Sequence, residues 1–373
     1  MPADAAAANP VDLLAAVSPE QYERALGIVG RDANVDSVVV IYITAHPHHS
    51  GGDGAPPSTG AERSQHVAAA VARGAGAVPA EKPVLPVVMA RGTATDQLAS
   101  GPRGRLPVFA LPEDAARALA AAARYARWRA RPAGTVLELD SFAEQAIRAV
   151  VDRVLAGADG PRWASPQDAA TVLRAAGIEV AAGEEVAPAD AVAAAERLGY
   201  PLVAKAVASG LVHRGDRGGV QLDLDSAEAV EAAVGKLRAG VPELTAVLLP
   251  RQVERSIEAM AGVTTHATFG PLVTCGIGGV IVELLRDASY RLPPVTDVDA
   301  EEMIDRLRLS PLLAGYRGGP VGDRAALAEL IRRVSALLDV MPELRELDLN
   351  PVIVRAPGAG AIVVDAKMQL VRS

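Results

Sequence analysis

The hydrophobic positions in the first third of the chain form short continuous runs, separated by segments with a helical pattern. The runs lie at 36–44, 83–89 and 106–110, and the helical patterns lie at 61–73 and 113–127. The first run, DSVVVIYIT, is β-branched and nearly unbroken, as expected for a strand buried on both faces. Strands that alternate with helices predict a parallel, doubly wound sheet, so we expect an α/β domain at residues 1–130.

The pattern becomes mixed after residue 130. A region that we expect to be a linker, 131–163, contains a predicted helix at 141–155, and Ser165-Pro166 then resembles a helix N-cap and first turn. The later predicted elements are a helix ending near 176, strands around Ile178, Lys205, Val247 and Val273, a helix at 324–338, and strands at 346–354 and 361–366. This mixture predicts a second domain at 164–373.

Composition excludes several classes of protein. Half of the 373 residues are hydrophobic, which indicates a folded chain with more than one core. The net charge of −8 argues against a general nucleic-acid binder. The single cysteine, Cys275, excludes an internal disulfide framework and a cysteine-rich metal site, and we expect it to be a small core residue.

Neither the apolar runs nor the N-terminus predicts a membrane or secreted protein. No run approaches the roughly 18 apolar residues of a membrane span. The first ten residues, MPADAAAANP, lack the basic and apolar regions of a secretion signal. We therefore expect a cytoplasmic protein.

Lys205 is the first candidate for chemistry. It lies in the apolar strand LVAKAV and shares a face with Val203 and Val207. A charge on an apolar face is costly unless it is paired, and a bound phosphate would supply the partner. The alternative is an edge strand whose lysine extends into water.

A histidine and a glycine-rich loop follow the lysine strand. His213 precedes Asp216, Gly218 and Gly219. Adjacent glycines allow backbone N–H groups to converge on an anion, and an imidazole can accept a phosphoryl group. The alternative is a hairpin loop with an exposed histidine. The other histidine-containing loop, HPHHS at 46–50, is interpreted as an exposed loop rather than a metal site.

Two further motifs follow. CGIGG at 275–279, which precedes Glu283, resembles a glycine turn after a strand, although its spacing is not that of the dinucleotide motif and glycines also serve tight packing. In LDLNP, Asp348 and Asn350 project to one face of a strand, and Asp365 of VVDAK lies opposite them if the last two strands pair. Carboxylate and amide oxygens beside phosphates suit Mg²⁺. The alternative is a surface hairpin with a polar face.

The order of these motifs resembles the ATP-grasp module of the ADP-forming (NDP-forming) acyl-CoA synthetases, relatives of succinyl-CoA synthetase. The motifs are the strand lysine, HxxDxGG, FGPLVTCGIGG, GYRG at 315–318, LDLNP and VVDAK. NPVDL at 9–13 and the apolar runs before residue 130 resemble the flavodoxin-like CoA-ligase domain of the same enzymes. The resemblance thus predicts a flavodoxin-like domain followed by a two-subdomain ATP-grasp domain.

The resemblance also implies roles for individual residues. His213 and Glu283 would be catalytic, with His213 carrying phosphate, and Asn350 and Asp365 would bind Mg²⁺. The residues implied in nucleotide binding are Lys205, Gly218, Gly219, Glu258, Gly276, Gly278 and Gly279.

The implied reaction interconverts acyl-CoA, ADP and phosphate with carboxylic acid, CoA and ATP through a phosphohistidine. We expect ATP or ADP and Mg²⁺ as cofactors, with CoA bound by a partner subunit that also carries the main phosphohistidine. The partner is expected because the usual CoA-binding and phosphohistidine domains do not precede NPVDL in this sequence.

The sequence also departs from the family pattern. Arg214-Gly215 replaces the usual Lys-Ser, and Pro250 stands where the family has a glutamine, with Gln252 two residues later. These departures favour one alternative function, a non-catalytic nucleotide-sensing scaffold. A third possibility is another ATP-grasp ligase that activates a carboxylate as acyl phosphate for an amine, which the CoA-ligase-like N-terminal domain opposes.

Overall fold

The chain forms two units, Met1–Arg131 and Pro132–Ser373. The computed structural model describes residues 6–14, 17–43, 60–89, 98, 101–139, 142–208, 218–279, 287–308 and 310–372. In the described part of the first unit, the elements are α1 (Pro19–Arg31), β1 (Val38–Ile43), α2 (Gly60–Gly76), β2 (Val84–Met89) and α3 (Pro112–Ala130).

The strands of the first unit are parallel, as the sequence pattern predicts. β1 pairs with β2 in register from Val38 opposite Val84 to Ile43 opposite Met89. The third apolar run adds a parallel contact at Phe109, whose N–H donates to the Pro86 carbonyl at 2.9 Å. The apolar cluster formed with α1 and α2 lies on one face of these strands.

The prediction that β1 is buried on both faces is wrong. Val40 and Tyr42 lie in the cluster with α1 and α2, whereas Ile41 and Ile43 on the opposite face are 47% and 71% exposed. Among the described residues, the apolar cluster on that opposite face is small, and its sheet members, Leu85 and Val87, come from β2. An unbroken apolar run therefore does not prove burial on both faces.

The second unit contains two antiparallel sheets with helices packed against them. Its described helices are α4 (Glu144–Val154), α5 (Pro166–Ala175), α6 (Ala191–Leu198), α7 (Ala227–Gly240), α8 (Asp297–Asp305) and α9 (Arg324–Val340). Its described strands are β3 (Arg162–Trp163), β4 (Gly183–Val186), β5 (Leu202–Val207), β6 (Val220–Leu224), β7 (Ala246–Pro250), β8 (Ile257–His266), β9 (Gly270–Ile277), β10 (Ala288–Arg291), β11 (Leu344–Val354), β12 (Ala361–Val363) and β13 (Ala366–Leu370).

The strands divide into a small sheet and a large sheet. The small sheet has the order β4-β7-β5-β6, and its core packs residues of α6 and α7 against one face. The large sheet has the order β10-β9-β8-β11-β13-β3, with β12 paired to β11. The apolar face of α9, including Leu327, Ile331 and Leu337, is buried in the core of the large sheet.

Local capping explains where several helices begin. The Ser165 hydroxyl accepts from the Asp168 N–H at 3.1 Å, and Pro166 occupies the first turn of α5, as predicted. Asp323 caps α9 in the same way, by accepting from the Ala326 N–H at 3.0 Å. These residues satisfy amides that a helix leaves without an internal partner.

The last predicted strand is interrupted. The pattern predicts one strand at 361–366, but β12 ends at Val363 and β13 begins at Ala366. Both strands pair with β11 in antiparallel register, so the predicted pairing across the 355–360 loop is confirmed. The interruption places Val364 and Asp365 between two ladders, where their backbone and side chains are available to the site.

The described part of the second unit also corrects two smaller predictions. Ile178 precedes a single bridge between Val180 and Val363 rather than lying in a strand. β8, which the sequence analysis did not predict, is a central strand of the large sheet. In the part of the chain that the structure describes, no helix is long and apolar enough to cross a membrane.

Candidate functional site

Lys205 lies in the centre of the small sheet. It pairs with Val220 of β6 on one side and with Leu248 of β7 on the other. The neighbouring residues Ala204 and Ala206 point into the core with α6 and α7, so Lys205 faces the other way. Its residue exposure is only 4%. The edge-strand alternative is therefore wrong.

The ammonium group of Lys205 contacts the large-sheet side of the unit. It donates to the Val364 carbonyl at 2.7 Å and to Asp365 Oδ1 at 3.0 Å. Both acceptors belong to the short segment between β12 and β13. These contacts satisfy a buried charge that would otherwise be costly, and they join the two sheets at one point.

Asn350 lies beside Asp365, as the predicted pairing requires. The Asn350 N–H donates to the Asp365 carbonyl at 3.2 Å, and Asn350 Oδ1 accepts from the Gly279 N–H at 3.0 Å. Because β11 lies between β8 and β13, this hairpin is part of the large sheet. The alternative of a surface hairpin with a polar face is therefore wrong.

The glycine turn after β9 closely approaches β8. The Gly278 N–H donates to the Glu258 carbonyl at 2.9 Å, and a Cβ on Gly278 would overlap the Ala259 carbonyl oxygen. Gly279 has φ +77°, and its missing Cβ leaves room for the Glu258 carboxylate. The turn thus needs glycine at both positions and brings Glu258 close to the amide that binds Asn350.

The remaining predicted glycines adjoin these groups. Gly276 pairs with Met260 of β8 inside the large sheet. Gly219 accepts from the Ala206 N–H at 2.8 Å and so lies beside the lysine strand, while Gly218 has φ +67°. The predicted catalytic residues His213 and Glu283 lie outside the described residues.

Pro250 lies at the end of β7, where the acyl-CoA synthetases that the sequence resembles have a glutamine, and Gln252 follows two residues later. Pro250 pairs with Gly183 at the end of β7 and offers no N–H. The side chain of Gln252 accepts from the Asp223 N–H at 2.7 Å and donates to Asp223 Oδ1 at 2.5 Å. Asp223 has φ +57°, so Gln252 holds a left-handed backbone position. Both ends of its side-chain amide are therefore engaged by Asp223.

A cavity borders Asp365 between the two sheets. Its lining includes Leu248 and Pro250 from β7, Val364, and Gln167 and Arg174 from α5. The lining is mainly apolar, with the carboxylate at one side. Its volume of about 30 Å³ has room for one or two water molecules beside the carboxylate.

The donor set of Asn350 and Asp365 fits Mg²⁺. This ion is usually held by one or two protein oxygens together with substrate phosphates. A carbonyl oxygen has two lone pairs, so the bond from Gly279 leaves Asn350 Oδ1 able to accept a second partner. In the described ranges, no group of three or more His, Cys, Asp or Glu residues could hold a metal without such a substrate.

Cys275 is a core residue, as its sequence context predicts. It lies in β9, its side chain is fully buried in the core of the large sheet, and burial raises the pKa of its thiol to about 12. A thiol with that pKa is protonated at neutral pH and is a poor nucleophile.

Sequence reasoning missed the backbone groups of the site. The Val364 carbonyl and the Gly279 N–H have no side-chain signature, so only the fold brings them to Lys205 and Asn350. The alternation of Ile257, Ala259, Ala261 and Val263 is a strand signal that would have placed Glu258 in β8.

Comparison with known proteins gives a family match and several similar proteins. Residues 155–370 match the ATP-grasp domain family. The chain is 32% identical to acetate–CoA ligase [ADP-forming] I of Archaeoglobus fulgidus over 99% of its length, and it spans about half, 51%, of that relative. It is 37% identical to the acetate–CoA ligase [ADP-forming] I subunit beta of Pyrococcus furiosus, across 46% of this chain and 76% of that subunit.

A solved structure has a similar fold. It is the dinucleotide-forming acetyl-coenzyme A synthetase 1 of Ca. Korarchaeum cryptofilum, in complex with coenzyme A and Mg-AMPPCP. The similarity has a TM-score of 0.52 at 31% identity and covers 61% of this chain and all of the matched chain. The match supports the mixed α/β fold of the ATP-grasp part.

Proposed function

This chain belongs to the ATP-grasp family and, within it, to the ADP-forming acyl-CoA ligases, and from that membership we propose that it is their nucleotide-binding part. The whole reaction would interconvert acyl-CoA, ADP and phosphate with carboxylic acid, CoA and ATP through a phosphohistidine. A partner subunit would supply CoA binding and the main phosphohistidine. The beta-subunit relative supports this division of labour.

One observation carries the proposal. Lys205, Asp365, Asn350 and Gly279 form a continuous series of contacts of 3.0–3.2 Å that runs from the small sheet to the glycine turn. A cation, a carboxylate, an amide oxygen and a bare backbone turn are the groups that binding of Mg²⁺ and nucleotide phosphates requires.

The roles of the site residues follow from this arrangement. Asp365 and Asn350 would hold Mg²⁺, and Mg²⁺ would neutralise phosphate charge. Lys205 would bind the phosphates, and the backbone turns at Gly218, Gly219, Gly276, Gly278 and Gly279 would approach them closely, with Glu258 at the edge of the nucleotide site. His213 and Glu283 are proposed as the phosphate acceptor and an assisting carboxylate.

The predicted domain limits, 1–130, 131–163 and 164–373, complete this proposal. The parallel strands and helices of the first unit support a flavodoxin-like CoA-ligase domain. The Korarchaeum structure holds both coenzyme A and a magnesium nucleotide analogue, which supports the same pair of ligands for the assembled enzyme here. The cytoplasm is the proposed location.

We expect the purified chain to bind Mg-ATP with a Kd below about 1 mM, because the cation, metal ligands and glycine turn all lie in this chain. Isothermal titration calorimetry measures the affinity. The same titration with EDTA is the control and should show much weaker binding. Absence of binding at millimolar Mg-ATP and Mg-ADP would reject the proposal.

We expect incubation with Mg-ATP labelled in the γ-phosphate to give an acid-labile phosphohistidine at His213. His213→Ala should remove the label and keep the affinity for Mg-ATP, since the proposed ligands are unchanged. His266→Ala is the matched control, because His266 lies at the end of β8 against Phe269. Undiminished labelling of His213→Ala would refute the assignment.

A specific observation favours a second candidate, a non-catalytic nucleotide sensor. Pro250 replaces the family glutamine, and both ends of the Gln252 side-chain amide are already bonded to Asp223. A sensor would bind Mg-ATP without forming phosphohistidine and without ATP synthesis from acyl-CoA when mixed with the CoA-binding subunit. Formation of ATP in that mixture would exclude the sensor.

A further inference from the structure

The contact between Lys205 and Asp365 has a consequence for metal binding. The lysine ammonium is 3.0 Å from Asp365 Oδ1 and is almost completely buried, with 5% of its side chain exposed. The Asp365 side chain is 22% exposed, so water reaches only a small part of the carboxylate. A positive charge therefore already occupies the protected side of the proposed metal ligand.

The position of the lysine is fixed by the fold. Its second acceptor, the Val364 carbonyl at 2.7 Å, is a backbone group held between β12 and β13. The strand that carries it is paired on both sides, with Val220 and Leu248. The backbone at Lys205 is thus held on both sides, and in the nucleotide-free protein the buried ammonium lies against Asp365 rather than extending into solvent.

We propose that Lys205 acts as a built-in substitute for the metal ion and prevents a divalent cation from binding at Asp365 until nucleotide phosphates arrive. This inference rests on the proposed function of the same site. In the nucleotide-free protein, the single negative charge of Asp365 is balanced by the ammonium, and a divalent ion beside it would meet electrostatic repulsion. Asn350 is neutral and adds no charge to oppose that repulsion.

Nucleotide phosphates reverse this balance. The triphosphate carries enough negative charge to accept both the ammonium and Mg²⁺, so with nucleotide bound Lys205 would donate to phosphate oxygens and Asp365 would serve as a metal ligand. Metal and nucleotide then bind as one unit. The protein would thus bind the magnesium complex of the nucleotide in preference to the metal ion alone or the nucleotide alone.

The test measures metal binding without nucleotide. Mn²⁺, which electron paramagnetic resonance detects when it is free, is titrated into the full chain and into Lys205→Met. We expect Lys205→Met to bind Mn²⁺ at least about 10-fold more tightly than the wild type. The same variant should bind Mg-ATP more weakly, because a phosphate ligand is lost. General damage to the fold would weaken both affinities, so it would not produce tighter binding of Mn²⁺ together with weaker binding of Mg-ATP.

Three further variants sharpen the result. Lys205→Arg keeps the charge and should keep the weak metal binding of the wild type. Lys236→Met removes an exposed charge on α7 and should change neither affinity. Lys205→Met combined with Asp365→Asn should lose the gain in Mn²⁺ affinity. Should Lys205→Met fold poorly by thermal denaturation, Lys205→Gln takes its place with the same expectation.

The outcomes separate this inference from the proposed function. Equal or weaker Mn²⁺ binding by the folded Lys205→Met or Lys205→Gln protein overturns the inference, even if the wild type binds Mg-ATP. A wild type that does not bind Mg-ATP overturns the proposed function, whatever the Mn²⁺ titration gives.

Discussion

Replacing Asp365 by alanine is expected to lower the affinity for Mg-ATP by about 100-fold or more, equivalent to about 2.7 kcal/mol. The substitution removes the only charged oxygen of the proposed metal pair and leaves the buried Lys205 with the Val364 carbonyl as its described partner. Removing one partner of a buried ion pair leaves a charge without compensation, so some loss of stability is expected as well.

Calorimetric titration with Mg-ATP measures this effect, and two further variants test whether it comes from the lost carboxylate charge. Asp365→Asn keeps the shape and an oxygen ligand but removes the charge, and it should fall between the wild type and Asp365→Ala. Asp225→Ala removes an exposed carboxylate of the same small-sheet region and should leave the affinity unchanged. Full EDTA-sensitive binding by Asp365→Ala would show that the metal lies elsewhere.

The second large effect concerns stability. Asp323→Ala is expected to lower the free energy of unfolding by about 2–4 kcal/mol. The carboxylate caps α9 and also accepts from the N–H groups of Gly358 at 2.8 Å and Gly360 at 3.0 Å. Asp323 is nearly buried, with 9% of its surface exposed, so the loss leaves three amides without this acceptor.

The contribution of Asp323 depends on pH in a defined direction. The amides of Ala326, Gly360 and Gly358 lower the pKa of this carboxyl in the folded protein. Its stabilisation is therefore complete above the unfolded pKa, about 3.9, and is lost as the pH falls through the lower folded value. The stability difference between wild type and Asp323→Ala should thus shrink below about pH 4.

Urea denaturation at several pH values measures both effects. Asp190→Ala is a matched control, because Asp190 precedes α6 at the N-cap position but makes no side-chain hydrogen bond there. We expect it to change stability by less than about 0.5 kcal/mol. Equal losses in the two variants would mean that the bonds to the 358–360 turn contribute nothing.

The strongest sequence patterns predicted the secondary structure well, because each combined a clear period with an end signal. The helix predicted at 324–338 is α9, and Ser165-Pro166 begins α5 as expected. β1 shows the limit of this reasoning. Its apolar residues predict a strand, but which of its faces are covered depends on tertiary packing that a local pattern does not contain.

Only part of the candidate site could be predicted from the sequence. Lys205 and Asp365 were identified separately, but their direct contact spans 160 positions and depends on the interruption between β12 and β13. β8 was missed although its buried residues alternate. Gly262, in the middle of β8, weakens the strand signal because glycine is unfavourable inside a strand. The fold requires glycine there, since a Cβ would overlap the Leu347 carbonyl of β11.

The place of β13 in the large sheet bears on how the protein is made. β13 follows every other described strand along the chain, yet it lies between β11 and β3. During synthesis on the ribosome, the facing edges of β11 and β3 stay open until residues 366–370 have left the exit tunnel. Unpaired edges of this kind attract other strands, so this interval of synthesis is the one in which the large sheet is most exposed to mispairing.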